Sequence, residues 1–289
     1  MHLTRRAFLA GAAGTGLLAA CGGGGSGDTE PVSDLNLLAI FAPQGVLVAG
    51  QEARLTLALG DAQGVPLDDP PASLPFRLRF GEEPAGDPIE VGVRSEGLTT
   101  GYYPVVFTPE EAGTYDVGAE VDGEALEPRA FIVGEPGSVP FPSAGEALIP
   151  VETPTTADAR GVDPICTRDP ACPFHEITLT EALDGGGPVG LLVATPEFCQ
   201  TEVCGPVLDV LVGEADAYPD VRFVHAEVYA NPRAVDNVAQ AELAPTTQAY
   251  MLPFEPSLFL AGGDGVVTAR LDNVYDATEL RERLDELVS

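Results

Sequence analysis

The sequence predicts a two-domain protein in which an all-β sandwich is followed by an α/β domain. In residues 35–134, short apolar runs alternate with turn residues, as expected for half-buried strands. Residues 135–173 are rich in proline, a composition typical of a semi-rigid linker. In residues 174–289, strand-length apolar runs alternate with stretches of helical periodicity. A length of 289 residues also favours two domains.

The first half shows the period of a strand most clearly at residues 76–80, where apolar and polar side chains alternate. Glycines at both ends of residues 60–64 indicate a turn. Residues 102–117 resemble the late strands of immunoglobulin-like sandwich domains, in which a tyrosine such as Tyr115 follows an Ala-Gly turn. The resemblance implies an immunoglobulin-like β-sandwich without the antibody-type disulfide, serving as a spacer or binding module.

The second half predicts the order β-α-β-α-β-β-α. Glycine-rich turns and apolar runs of strand length separate segments with apolar side chains at helical spacing. The predicted strands cover residues 188–194, 221–228, 257–261 and 266–270, and the predicted helices cover residues 199–217, 232–243 and 277–288.

The N-terminus predicts export and lipid anchoring. Adjacent Arg5 and Arg6 open a short apolar stretch that ends at Cys21, a pattern that resembles a twin-arginine signal with a lipobox in residues 1–21. Residues 22–34 then form a glycine-rich tether. We therefore expect an extracytoplasmic protein held to the lipid bilayer through acylated Cys21.

The strongly negative net charge narrows the classes of partner that the protein is expected to bind. A formal net charge of −31 argues against binding to nucleic acid and against docking on anionic lipid headgroups. No cofactor is indicated by any motif in the sequence.

The cysteines carry most of the functional information. Apart from Cys21, four remain as two close pairs, Cys166 with Cys172 and Cys199 with Cys204. In an exported protein, an even count indicates disulfides or redox-active dithiols. Four cysteines allow three pairings, and the short spacings favour pairing within each close pair.

The Cys166/Cys172 pair admits three interpretations. Prolines in and beside the intervening loop favour a small turn closed by a disulfide. The pair could instead be a second redox couple that exchanges with Cys199/Cys204. With His175, the two cysteines could also ligate copper or zinc if a fourth ligand came from elsewhere. His225 lies in an apolar strand and is interpreted as a satisfied core histidine.

The other pair lies where the first strand meets the first helix of the α/β half. With Pro206 seven residues beyond Cys199, and Pro256 directly before a strand, the segment resembles the thioredoxin-like superfamily. The resemblance implies a cis-proline at Pro256 and a reactive Cys199. The Cys-x4-Cys spacing, with Thr195 upstream, is similar instead to the peroxiredoxin Q group, although Thr195 stands four residues before Cys199 rather than three.

Physical chemistry assigns different roles to the two cysteines. At a helix N-terminus, Cys199 would feel the positive end of the helix dipole, which favours its thiolate. Cys204 would then resolve the mixed intermediate. Glu255, next to the expected cis-proline, would lie near Cys199 and raise the pKa of its thiol.

These features lead to one hypothesis and two alternatives. The leading hypothesis is a membrane-anchored thiol–disulfide redox protein that acts on a protein thiol or disulfide partner through Cys199 and Cys204. The first alternative is a non-enzymatic surface binding or metal-delivery module with structural cysteines. The second is a peroxide reductase.

Overall fold

A computed structural model describes residues 34–41, 46–199 and 202–289 of the chain. The predicted export signal, the lipidated Cys21 and nearly all of the tether lie outside these residues. The described part of the chain belongs to one compact unit, Ser33–Ser289. None of the helices in the described part is long and apolar enough to span a membrane.

The first half forms two β-sheets. The strands are β1 (Leu35–Ala39), β2 (Leu47–Val48), β3 (Ala53–Asp61), β4 (Ser73–Phe80), β5 (Glu83–Pro84), β6 (Ile89–Gly92), β7 (Tyr103–Phe107), β8 (Gly113–Val121), β9 (Glu124–Ala125) and β10 (Arg129–Gly134). One sheet has the strand order β1-β3-β7, and the other has the order β2-β10-β8-β4-β5, with β6 paired to β4 and β9 to β8.

The two sheets share one apolar core. Leu55 and Leu57 of β3 are fully buried in the same cluster as Phe76 of β4. The rings of Phe76 and Tyr103, one from each sheet, lie 5.6 Å apart. The hydroxyl of Tyr115, the tyrosine after the Ala-Gly turn, donates a hydrogen bond to the carbonyl of Glu111 at 2.9 Å, which is the contact of a tyrosine corner.

The elements of the second half are α1 (Leu179–Asp184), β11 (Val189–Val193), α2 (Cys204–Glu214), β12 (Arg222–Ala226), α3 (Pro245–Tyr250), β13 (Ser257–Ala261), β14 (Val267–Asp272) and α4 (Ala277–Val288). The four strands form a third sheet with the order β12-β11-β13-β14. The central strand β11 is buried along its whole length, runs parallel to β12 and runs antiparallel to β13.

Local chemistry determines where the helices begin. Thr178 and Glu181 form a reciprocal capping box at the start of α1, and the side chain of Asp276 caps α4 by accepting the N–H of Glu279. The predicted helix over residues 232–243 is wrong. Two 3₁₀ turns occupy that segment, because the Asn237 side chain accepts the N–H of Ala239 and the backbone returns to an extended conformation at Ala241.

The predicted fold class, a β-sandwich followed by a separate α/β thioredoxin-like domain, is wrong. Three β-sheets dominate the described residues, and no separate α/β domain divides from the rest of the compact unit. The physical reason is a shared interior. One apolar cluster contains Leu37 and Phe131 from the first half together with Val189 and Phe259 from the second half.

A buried ion pair also joins the two halves. Arg54 of β3 donates to both carboxylate oxygens of Glu279 in α4, each at 2.6 Å. Tyr102 donates to the same carboxylate at 2.5 Å and accepts the N–H of Asp276 at 2.9 Å. Because a charge buried without its partner is costly, this network opposes separation of the two halves.

Candidate metal centre

Four side chains converge beside β12. The ligand atoms of Cys166, Cys172, His175 and His225 all lie within 4.8 Å of one another. The two sulfurs are 3.8 Å apart, and the two nearest ring nitrogens are 3.2 Å apart. Cys172 Sγ lies 3.3 Å from each of those nitrogens, and Cys166 Sγ lies 3.8 Å from Nδ1 of His225.

These separations match the edges of a coordination tetrahedron. With Zn–S bonds of about 2.3 Å and Zn–N bonds of about 2.05 Å, ideal edges are about 3.8 Å for S–S, about 3.6 Å for S–N and about 3.3 Å for N–N. The five separations given above lie within about 0.3 Å of their ideal edges, and the sixth pair, Cys166 Sγ and the His175 ring nitrogen, lies within 4.8 Å. The cluster therefore has the size and donor set of a Cys2His2 metal centre.

Backbone pairing brings the sequence-distant histidine into the cluster. The N–H of His225, in β12, donates to the carbonyl of Phe174 at 3.0 Å. The segment that carries the two cysteines thereby lies against β12, and His175, the next residue, faces the His225 ring at a centroid distance of 5.0 Å.

The tautomer of His225 suits metal binding. Its Nε2 lies 3.1 Å from the carbonyl oxygen of Ala194. Since that oxygen only accepts, Nε2 carries a proton, and Nδ1 is the ring nitrogen that faces the two sulfurs. A carbonyl on the remote ring nitrogen is a recurrent way of orienting a metal-binding histidine.

Glu227 and Cys172 support Cys166 from both sides. The buried carboxylate of Glu227 accepts the N–H of Thr167 at 2.6 Å, which fixes the backbone next to Cys166. The N–H of Cys172 points at Cys166 Sγ at 3.4 Å. Burial raises the pKa of Glu227, which the neighbouring positive charge of His225 partly offsets.

The cluster favours a thiolate even before a metal binds. Hydrogen bonding from Cys172 lowers the pKa of Cys166 far below its ordinary value, with further hydrogen bonds from His175 and His225. Burial acts to lower the pKa of His225, but its hydrogen bond to Cys166 and the charge of Glu227 raise it overall. A cation can therefore replace the imidazolium proton beside an existing thiolate.

The centre is nearly closed to solvent. Cys172, His175 and His225 are buried, and Cys166 is partly exposed. Closed four-ligand sites are typical of metals that are held rather than metals that bind substrate.

Two interpretations of these residues need correction. The predicted disulfide between Cys166 and Cys172 is wrong, because both are free thiols and their sulfurs lie well beyond the roughly 2.05 Å of a bond. His225 is buried as expected, yet its ring faces the cluster and offers the fourth candidate ligand that the sequence could not locate. Its spacing of 50 residues from His175 left no local signal.

The second cysteine pair forms a disulfide. Cys199 is bonded to Cys204, as the close spacing predicted. Helix α2 begins at Cys204 rather than at Cys199. Two cysteines five residues apart within one helix would be rotated about its axis by roughly 140° and would face different ways. Because Cys199 lies outside the helix, the two sulfurs can meet. Cys199 is partly exposed, and Cys204 is buried.

The other predicted site residues lie near the end of β11. The peptide bond before Pro256 is cis, and the next residue, Ser257, pairs with Val193. Glu255 precedes this bond and is partly exposed. Thr195 is fully buried and directly follows Ala194, whose carbonyl oxygen lies 3.1 Å from Nε2 of His225, so it lies on the side of the candidate metal centre.

Comparisons with known proteins do not identify the chain. No family model matches it, and no curated protein matches it. Solved structures that it resembles over about a third of its length include the twitchin kinase region from C. elegans, with 13% identity, a TM-score of 0.22, and coverage of 34% of this chain and 16% of that one. The immunoglobulin complex of titin M10 and obscurin-like 1 shows 16% identity and a TM-score of 0.22, with coverage of 35% of this chain and 94% of that one. A chimeric titin Z1Z2 shows 14% identity and a TM-score of 0.20, with coverage of 35% of this chain and 96% of that one.

Proposed function

We propose that this protein binds zinc in a centre formed by Cys166, Cys172, His175 and His225. The observation that supports the proposal is the agreement of five of the six ligand separations with the edges of a tetrahedral S2N2 site. Tetrahedral sites with two sulfurs and two nitrogens are typical of zinc among the metals used by proteins. The absence of oxygen donors from the four-residue cluster disfavours calcium and magnesium.

Charge balance also supports a divalent ion. Two thiolates neutralise the charge of Zn2+, so the buried centre would carry no net charge apart from Glu227 nearby. Bound zinc would fix residues 166–175 against β12. The signal pattern in residues 1–21 supports an extracytoplasmic, lipid-anchored location for this zinc-binding protein.

The test is the metal content of the purified full chain, measured by mass spectrometry of the elements. We expect one zinc per chain, and loss of that zinc in Cys172→Ser and His225→Asn. Cys199→Ser with Cys204→Ser is the matched control, because it removes two cysteines outside the centre and should retain zinc. A wild-type protein that neither contains nor takes up zinc would refute the proposal.

Thiol–disulfide exchange at Cys199/Cys204 is a second candidate, supported by the bonded pair at the start of α2 and by the partial exposure of Cys199. A cleft of about 320 Å³ is lined in part by Leu98 and by Val203 and Pro206, which flank Cys204 in the sequence. Reduction of insulin disulfides tests this candidate. Activity that disappears in Cys199→Ser supports it, and a wild-type protein without activity excludes insulin-type exchange.

A further inference from the structure

The metal centre and the disulfide belong to one apolar cluster. Cys172 and Cys204 are both buried within it, and Cys166 and Cys199 pack against it with part of their surface exposed. Each pair therefore has one buried cysteine and one partly exposed cysteine, and the partly exposed ones are Cys166 and Cys199.

Contacts next to the cysteines hold the two segments together. The hydroxyl of Thr167, directly after Cys166, accepts the N–H of Glu197 at 3.2 Å, and Glu197 stands two residues before Cys199. This contact ties the first cysteine of the metal centre to the first cysteine of the disulfide.

A second contact joins the segment that follows Cys166 to helix α2. Arg168 forms an ion pair with Asp209 of α2 at 2.6 Å. Since α2 begins at Cys204, the loop of the metal centre is anchored about one turn from the buried half of the disulfide.

From this juxtaposition we infer that the two cysteine pairs exchange their redox states, and that the metal controls the direction. With zinc bound, Cys166 and Cys172 stay reduced, and Cys199–Cys204 stays oxidised. When zinc leaves, Cys166 and Cys172 become the disulfide, and Cys199 and Cys204 become thiols. The inference rests on the proposed zinc site.

The exchange balances within the chain. The Cys166 thiolate attacks Cys199 Sγ, the bond between Cys199 and Cys204 breaks, and Cys204 leaves as a thiolate that takes up a proton. Cys172 then gives up its proton and attacks Cys166 Sγ, which releases Cys199 as a thiolate. One disulfide forms and one is reduced, so two electrons pass between the pairs without an external oxidant.

The structure supports the attack of Cys172 on Cys166, and metal coordination explains how zinc would control the exchange. The sulfurs of Cys166 and Cys172 already lie 3.8 Å apart, so a small movement brings them to bonding distance. Zinc binds thiolates through the electron pairs that would attack a disulfide. Bound metal therefore keeps this pair reduced, and its removal frees the nucleophile.

The sequence permits a direct assay. Combined cleavage after arginine and glutamate places the four cysteines on four peptides: Gly161–Arg168, Asp169–Glu176, Phe198–Glu202 and Val203–Glu214. The full chain carrying Cys21→Ser is purified without reductant and split into a zinc-loaded sample and a sample stripped with a chelator under nitrogen. Free thiols are blocked in acid before digestion, the linked peptides are identified by mass spectrometry, and the zinc content of both samples is measured.

We expect the zinc-loaded protein to link the Cys199 and Cys204 peptides. The stripped protein should lose that link and join the Cys166 and Cys172 peptides in most molecules. The inference is overturned if the stripped protein keeps the Cys199–Cys204 link and its Cys166 and Cys172 are found as blocked free thiols. Failure of the zinc proposal can be told apart from failure of this inference, because the zinc content is measured separately from the disulfide links.

Two variants test the chemistry without relying on the chelator. Cys172→Ser removes the resolving thiol, so the mixed disulfide between the Cys166 and Cys199 peptides should accumulate. Its absence in a folded variant counts against the exchange. His225→Asn lowers zinc binding while it retains every thiol, and it should show the disulfide pattern of the stripped protein. If a zinc-free His225→Asn keeps the wild-type link, the metal does not control the exchange.

Discussion

Arg54 and Glu279, 225 residues apart, form a two-point ion pair that is almost completely buried. Glu279→Gln should lower the free energy of unfolding by about 3–5 kcal/mol, because it leaves the Arg54 charge buried without a counter-ion. Urea denaturation measures the change. Glu120→Gln is the matched control, since Glu120 pairs with Arg77 at 3.8 Å on the surface, and its loss should cost less than about 1 kcal/mol. Equal effects of the two substitutions would contradict this account.

Stability should also depend on pH through Glu279. Burial acts to raise the pKa of this carboxyl, but the charge of Arg54 and hydrogen bonds from Arg54 and Tyr102 lower it overall. A pKa lowered on folding contributes stability that is fully present above the unfolded value of about 4.3 and is lost as the pH falls through the folded value. Urea midpoints measured from pH 6 downward, at roughly half-unit steps, should fall more steeply for wild type than for Glu279→Gln. Parallel curves would exclude this contribution.

Tyr102 supports the same carboxylate and caps the entry to α4. Tyr102→Phe removes one hydrogen bond to a charged group and the acceptor for the N–H of Asp276. We expect a loss of about 2–3 kcal/mol in the free energy of unfolding, because both partners are buried. Tyr218→Phe removes a hydrogen bond to Asp285 near the surface and should cost less. A Tyr102→Phe protein as stable as wild type would show that the network adds nothing to the ion pair.

Glu227 should act as a positioning residue for the proposed zinc site. Glu227→Ala frees the N–H of Thr167 and loosens the backbone beside Cys166, so zinc affinity should fall about 10- to 100-fold. Competition with a colorimetric chelator measures it. Glu227→Gln keeps an acceptor oxygen and should recover most of the affinity, whereas Glu176→Ala, at an exposed neighbouring position, should change nothing. A uniform loss in both Glu227 variants would indicate a role for its charge instead.

Zinc removal should lower the melting temperature of the wild-type protein, because a ligand that binds only the folded state stabilises it. Differential scanning calorimetry with and without chelator tests this. His225→Asn should melt at the same temperature in both conditions, since it has no bound zinc to lose. A wild-type melting temperature that the chelator leaves unchanged would show that the centre contributes nothing to stability.

Local sequence determined much of the secondary structure and one of the two cysteine pairs. The apolar run at residues 188–194 contains β11, and residues 277–288 form α4 with the predicted limits. The close spacing of Cys199 and Cys204 favoured the bond that the structure contains, whereas the same argument failed for Cys166 and Cys172. Such features depend on neighbours within a few residues, where periodicity, capping and short loops are decisive.

The tertiary structure alone decided the fold class and the composition of the metal centre. The pairing of Arg54 with Glu279 joins segments that the sequence assigned to separate domains. His225 meets Cys166, Cys172 and His175 because β12 places its N–H against the carbonyl of Phe174. No periodicity encodes a contact across 50 or 225 residues, since it arises only when strands pair and apolar faces pack together. The sequence therefore indicated three of the four candidate ligands, and the fold added the fourth.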